Sequence, residues 1–191
     1  MGILRPVGFA LFVFACAVTC AAQGNQCTLK AGQLPEVRGL RLGMTAAELK
    51  ARYPRLVVGP SDEFGQAKVW LWSDQVAQVD AAAFKGVDGL SLGLLDGRVV
   101  EFGLTYEGLP WKDLGQFVAK TSEALGLPAA WKGDADMMTL DCDRLRLHAR
   151  RSSYSMGSMS PSISFKELSA EEVVASRVAK KKEQQIESFK P

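Results

Sequence analysis

The chain has 191 residues, 47% of them hydrophobic and 23% charged, with 23 basic and 21 acidic side chains and a single histidine. That is enough chain to bury one core. The charge is too evenly balanced for a nucleic-acid surface, whose phosphate contacts require a basic excess.

Read from the N-terminus, Arg5 precedes an uncharged apolar run, Val7 to Thr19, and small residues follow in Cys20-Ala21-Ala22. This is the pattern of a secretory signal peptide spanning 1–22, and the run is shorter than the roughly 20 residues of a bilayer-spanning helix. No later run is longer, so no transmembrane segment is expected. Cys16 follows Val-Phe-Ala and Cys20 follows Ala-Val-Thr; neither resembles a lipobox, so no lipid anchor is expected. The expected location is periplasmic or secreted. Cleavage leaves Cys27 and Cys142, which an oxidising compartment joins as a disulfide. One domain is expected over 23–168, followed by a frayed helix or tail over 169–191.

The segment "GLRLGMTAAELKARYP", Gly39 to Pro54, carries a capping box at Thr45 and Glu48, a hydrophobic staple at Met44 and Leu49, and strong helix formers from Ala46 to Arg52. Pro54 stops the helix. Each residue has a folding role, and an anion cradle at the helix start would need more glycines or more basic neighbours.

The same segment resembles the opening of small envelope domains of the BamE/SmpA outer-membrane assembly type. Those domains share a helix-plus-antiparallel-sheet fold with the β-lactamase inhibitor protein. The chain is similar, too, to uncharacterised secreted bacterial proteins that begin with a cysteine and an "RGLRLGM"-like segment. The resemblance implies an α+β envelope domain and carries over no functional residue.

Beyond the first helix, "AKVWLWSD" reads as a strand that points Trp70 and Trp72 the same way. Leu90 to Tyr106 reads as a hairpin. A three-residue loop, Leu95-Asp96-Gly97, would pair Leu92 with Val100 and Leu90 with Phe102. One face would then hold Leu90, Leu92, Leu94, Val100, Phe102, Leu104 and Tyr106. Pro110 to Pro128 reads as a helix with its stripe at Trp111, Leu114, Phe117, Val118 and Leu125. Met138 to Ala149 reads as a second hairpin turning at Asp143-Arg144. It pairs Cys142 with Leu145, Leu140 with Leu147 and Met138 with Ala149 on the core side, and Asp141 with Arg146 and Thr139 with His148 on the other. "SISFKEL" is a final strand, and Ser169 with Glu172 forms a second capping box. The expected fold class is α+β: two main helices packed on one face of an antiparallel meandering sheet, with a degenerate duplicated helix-strand unit as a variant of that plan.

No G-x-S-x-G, H-E-x-x-H, Walker or dinucleotide motif is expected in the chain, and so no catalytic, cofactor or metal residue. The hairpin register puts His148 and Cys142 on opposite faces, which excludes a Cys-His dyad. Asp134 and Asp136 have calcium-loop spacing without the glycine and distal glutamate of such a loop. Met137, Met138, Met156 and Met159 with His148 offer soft ligands in no fixed arrangement. Trp70, Trp72, Trp111 and Trp131 are the candidate partner surface. The expected function is a non-catalytic extracytoplasmic binding or interaction domain of unknown partner, with another envelope protein as one candidate. The competing reading is a small secreted hydrolase with an unrecognised site.

Overall fold

A computed structural model describes residues 27–107, 111–155 and 158–189, with backbone alone over 152–155 and 158–159. The leader, Pro110 and Met156 lie outside the described residues. The helices are α1 (Ala46–Arg52), α2 (Ser73–Asp80), α3 (Leu114–Leu125) and α4 (Leu168–Ser188). The strands are β1 (Gln66–Trp72), β2 (Val87–Leu95), β3 (Arg98–Tyr106), β4 (Lys132–Gly133), β5 (Met137–Cys142), β6 (Leu145–Ser155) and β7 (Ser158–Glu167). All seven form one antiparallel sheet in the order β1-β2-β3-β7-β6-β5-β4. The fold is α+β, made of two meanders, each introduced by a helix, that meet at their last strands, β3 and β7.

One face of this sheet is the floor of the core. Leu90, Leu92 and Leu94 of β2, Phe102 and Leu104 of β3, Ile163 and Phe165 of β7, Leu145 and Leu147 of β6 and Leu140 of β5 are all buried on it. Leu49 of α1, Val76 and Val79 of α2, and Leu114, Phe117 and Val118 of α3 close over them. Three helices therefore cover this inner face, where two were expected. The unforeseen one, α2, exposes most of its length and buries only its two valines.

The start of α1 forms as its residues dictate. Glu48 N donates to Thr45 Oγ1 (3.1 Å) and Thr45 N donates to Glu48 Oε2 (2.6 Å), and Met44 and Leu49 are both buried. Gly43 N donates to Val99 O (2.7 Å) and Ala46 N to Gly97 O (2.7 Å), so the Gly-Met-Thr segment docks on the β2–β3 turn. Gly39 has φ +76°, and a Cβ there would lie 2.5 Å from the Tyr53 hydroxyl, which donates to Arg38 O. Only glycine fits that close approach.

The β2–β3 register corrects the expected one. Asp96 (φ 50°) and Gly97 (φ 73°) form a two-residue turn, so Leu94 pairs with Val99 and Leu95 with Arg98. A β-bulge at Val100 then restores the pattern, pairing Leu92 with Phe102 and Leu90 with Leu104. Val99 is buried and Val100 turns to the other face. The second hairpin has the expected register at every pair named for it.

The Cys27–Cys142 disulfide is present, with α-carbons 4.5 Å apart, and it ties the first described residue to the end of β5. After β7 the chain passes into α4 without the expected Ser169–Glu172 capping box; Ser169 Oγ donates to Glu167 Oε1 instead (2.7 Å). This helix lies across the outer face of the sheet over Leu95 and Val100, where Ala170 is its only buried residue. Arg177 grips Asp96 through two bonds (2.9 and 2.7 Å) and donates to Phe64 O (2.6 Å). Lys181 pairs with Glu63 beyond it.

Replacing both Cys27 and Cys142 with serine should lower unfolding stability by roughly 2 to 5 kcal/mol in urea titration, since the bond closes a long loop. Limited proteolysis of that variant should cut between residues 28 and 36 first, because this stretch has little core of its own.

Candidate binding face of the sheet

The outer face is set by strand parity. Antiparallel partners share a face, so the register spells out rows of side chains running across the strands. One row is Trp70, Ser91, Gly103, Ser164, His148, Thr139 and Lys132. Beside it on one side run Trp72, Gly89, Thr105, Ser162, Arg150 and Met137, and on the other Lys68, Gly93, Glu101, Lys166, Arg146 and Asp141. Six inter-strand steps make the full row about 29 Å long. The third row lies beside α4, and no described element covers the other two.

The middle of this face is low because its residues are small. A Cβ at Gly103 would stand 2.7 Å from Ser91 Oγ and 3.4 Å from Ser164 Cβ, and one at Gly93 would stand 3.3 Å from Glu101 Cβ. Glycine at these positions leaves a shallow floor between two raised ends. At one end Trp70 and Trp72 are 67% and 60% exposed, unusually high for indoles. At the other end stand His148, Arg150 and Lys132.

Charges on the face separate into used and unused. Arg146 pairs with Asp141 (2.6 Å), and Lys166 pairs with Glu171 (2.7 Å) and Glu101 (3.4 Å). Partial burial opposes the Lys166 ammonium, but those two carboxylates outweigh it and hold its pKa above the ordinary lysine value. Among the described residues Lys68, Arg150 and Lys132 form no ion pair. His148 Nδ1 lies 3.0 Å from Thr139 Oγ1. Burial first, and then the cations Arg150 and Arg146, hold its pKa below the ordinary imidazole value, against a smaller pull from Asp141.

The four tryptophans do not form one surface. Trp111 packs edge-on against Phe117 on the helical side, where its Nε1 has no hydrogen-bond partner among the described residues. Trp131 packs on the same core and donates from Nε1 to Ser122 Oγ (2.9 Å). Only Trp70 and Trp72 stand on the outer face.

Contrary to the expectation that the chain holds no G-x-S-x-G, Gly89-Leu90-Ser91-Leu92-Gly93 spells those letters. Its setting is not that of a nucleophile elbow, which needs a strained strand-to-helix turn. Ser91 sits in mid-strand, three strands and about 14 Å from His148. Ser164 is the serine directly opposite His148, and no hydrogen bond joins the two among the described residues. Met137 and Met138 fall on opposite faces of β5, so they do not converge with His148. Among the described residues no group of three His, Cys, Asp or Glu side chains is placed to hold a metal, and no helix is long and apolar enough to cross a membrane.

Hollows border the face. One of about 570 Å³ lies beside the disulfide against Thr139 and Asp141; another, about 320 Å³, lies between α4 and Lys68, Gly93 and Glu101. No protein-family model, curated protein or solved structure matches the chain.

Sequence reasoning found the paired tryptophans but not the floor between them and the cations. The available signal was the period-two run of small residues at Gly89, Ser91 and Gly93.

The lowered His148 pKa fixes the sign of a pH effect. The unfolded chain binds the imidazole proton more readily than the folded one just below the ordinary histidine range, so stability falls as pH drops through that window. The NMR titration midpoint of His148 should lie below that of a free imidazole side chain and rise in Arg150→Gln. His148→Ala should change stability by less than about 1 kcal/mol at pH 8.

Proposed function

We propose that this chain is a non-catalytic extracytoplasmic binding domain that docks another envelope protein on the outer face of its sheet. The observation that carries the reading is the uncovered face itself, with two exposed indoles at one end, a glycine and serine floor, and cations at the other. Tryptophan and arginine are the side chains that most often anchor protein interfaces, and a flat floor admits a broad partner surface. The unpaired Lys68, Arg150 and Lys132 favour a partner whose facing surface is acidic.

The disulfide and the expected leader support a place outside the cytoplasm. The BamE/SmpA-like resemblance of residues 39–54 supports an envelope setting. The rival reading, a small secreted hydrolase, would have to use His148 with Ser164 or Thr139. Against it, Thr139 occupies Nδ1 and the nearest carboxylate, Asp141, is engaged by Arg146, which leaves the imidazole without the orienting acid such sites use.

Affinity capture from the envelope fraction tests the proposal. A protein recovered with the unaltered chain should be lost at least tenfold with Trp70→Ala/Trp72→Ala and with Ser164→Arg, while the unfolding midpoints shift little because these side chains are not core residues. Equal recovery by all three chains would remove the outer face from the account. Ester or peptide hydrolysis abolished by His148→Ala would favour the enzyme.

A further inference from the structure

Helix α4 fits loosely over the part of the outer face that it occupies. The stripe it turns toward the sheet is Ala170, Val173, Val174 and Arg177, which stand at i, i+3, i+4 and i+7, the spacing of a helix laid in a groove. Leu95 and Val100 form the floor. A hollow runs along each flank: one of about 320 Å³ is lined by Val174 and Ala175 of the helix, and one of about 450 Å³ by Val173 and Arg177. Leu95, Val100 and Ala170 border both hollows, so the helix meets the floor through an alanine and stands clear of it on either side. Packed protein interiors leave few voids larger than a water molecule.

Charge at three points holds α4 in place. Lys166 pairs with Glu171, Arg177 with Asp96 and Lys181 with Glu63. These pairs are open to solvent, so each contributes little and is screened by salt. No side-chain cap fixes the first turn of the helix. One cation in the groove is left over: Lys68 lines the hollow beside Val174 and Ala175, and among the described residues it forms no ion pair.

We propose that this groove docks an amphipathic helix of the partner protein, which displaces α4 from it. The occupant that fits has side chains larger than valine where α4 has Val173 and Val174, so that both hollows fill. It carries a carboxylate where α4 has Ala175, one turn after the position of Glu171. That carboxylate meets Lys68 as Glu171 meets Lys166. The added acid separates the occupant from α4 itself, and it agrees with the acidic partner surface that the unpaired cations favour. Helix α4 is then a placeholder that shields Leu95 and Val100 from water. It lowers the partner's apparent affinity in proportion to the time the groove is filled. This inference rests on the outer-face reading for its partner and names the element that docks.

The probe is a fluorescently labelled peptide of the α4 sequence, residues 168–188, carrying Val174→Leu and Ala175→Glu, titrated by anisotropy against the full chain. It should bind saturably, and about tenfold more tightly to the Arg177→Gln chain, in which α4 is released. Asp96→Asn should act in the same way; asparagine keeps the left-handed turn at φ 50°, so this variant serves if Arg177→Gln misfolds. Lys68→Glu should weaken binding about tenfold, because attraction becomes repulsion. Hydrogen exchange of α4 should rise as the peptide binds, while that of β2 and β3 stays unchanged. No binding to either released chain, or binding that leaves α4 exchange unaltered, would overturn the proposal. So would equal binding of the unsubstituted α4 peptide, which would give the groove to α4 of a second copy. The titration does not involve Trp70 or Trp72, so a capture experiment indifferent to those residues removes the outer-face reading separately.

Discussion

The structure depends on the pairing of β3 with β7. These strands are the last of two separate meanders, and only their ladder makes one sheet of two. Phe102 and Phe165 face each other across it, fully buried, with ring centroids 4.6 Å apart and planes 19° from parallel. A stacked pair of this kind adds to the area buried by each ring. It also fixes parity. With Phe102 and Phe165 inward, Gly103 and Ser164 must face outward, and every residue in their row follows. The shallow outer floor is therefore a consequence of where the aromatic pair sits.

The two faces are stabilised by different physics. The inner face is apolar, and three helices with the N-terminal segment exclude water from it. The outer face is held by short polar contacts at its margins. Lys166 joins Glu101 and Glu171, Arg146 joins Asp141, and Arg177 joins Asp96. Exposed pairs of this sort contribute little singly and weaken with salt. Helix α4, with Ala170 as its only buried residue, is thus a cover fastened by charge and not by burial. Elements fastened in this way open more readily than core elements.

How much of this was legible depended on whether local pattern and tertiary packing agreed. The second hairpin was readable pair by pair because Cys142, Leu140 and Met138 alternate strictly with Asp141 and Thr139, leaving one sensible register. The capping box at Thr45 and Glu48 was readable because both partners lie within one turn. The first hairpin was misread because Val99 and Val100 are equally apolar, and nothing local says which is the bulge. Helix α2 was missed because two valines three residues apart make too weak a stripe to announce a helix. The reach of α4 was hidden because it docks through Arg177 and Lys181, which the sequence shows only as part of a charged run. The candidate face was half legible: the paired tryptophans declare themselves by spacing, whereas the glycine floor appears only once four strands are in register.

The central claim is that function resides on the outer face, away from the helices. A photo-reactive amino acid placed at Ser164, in the middle of that face, tests it directly when compared with the same probe at the exposed Gln116 of α3. Irradiation of intact cells should give a discrete covalent adduct with an envelope protein from position 164 and none from position 116. Adducts from position 116 alone would contradict the account and move the functional surface to the helical side.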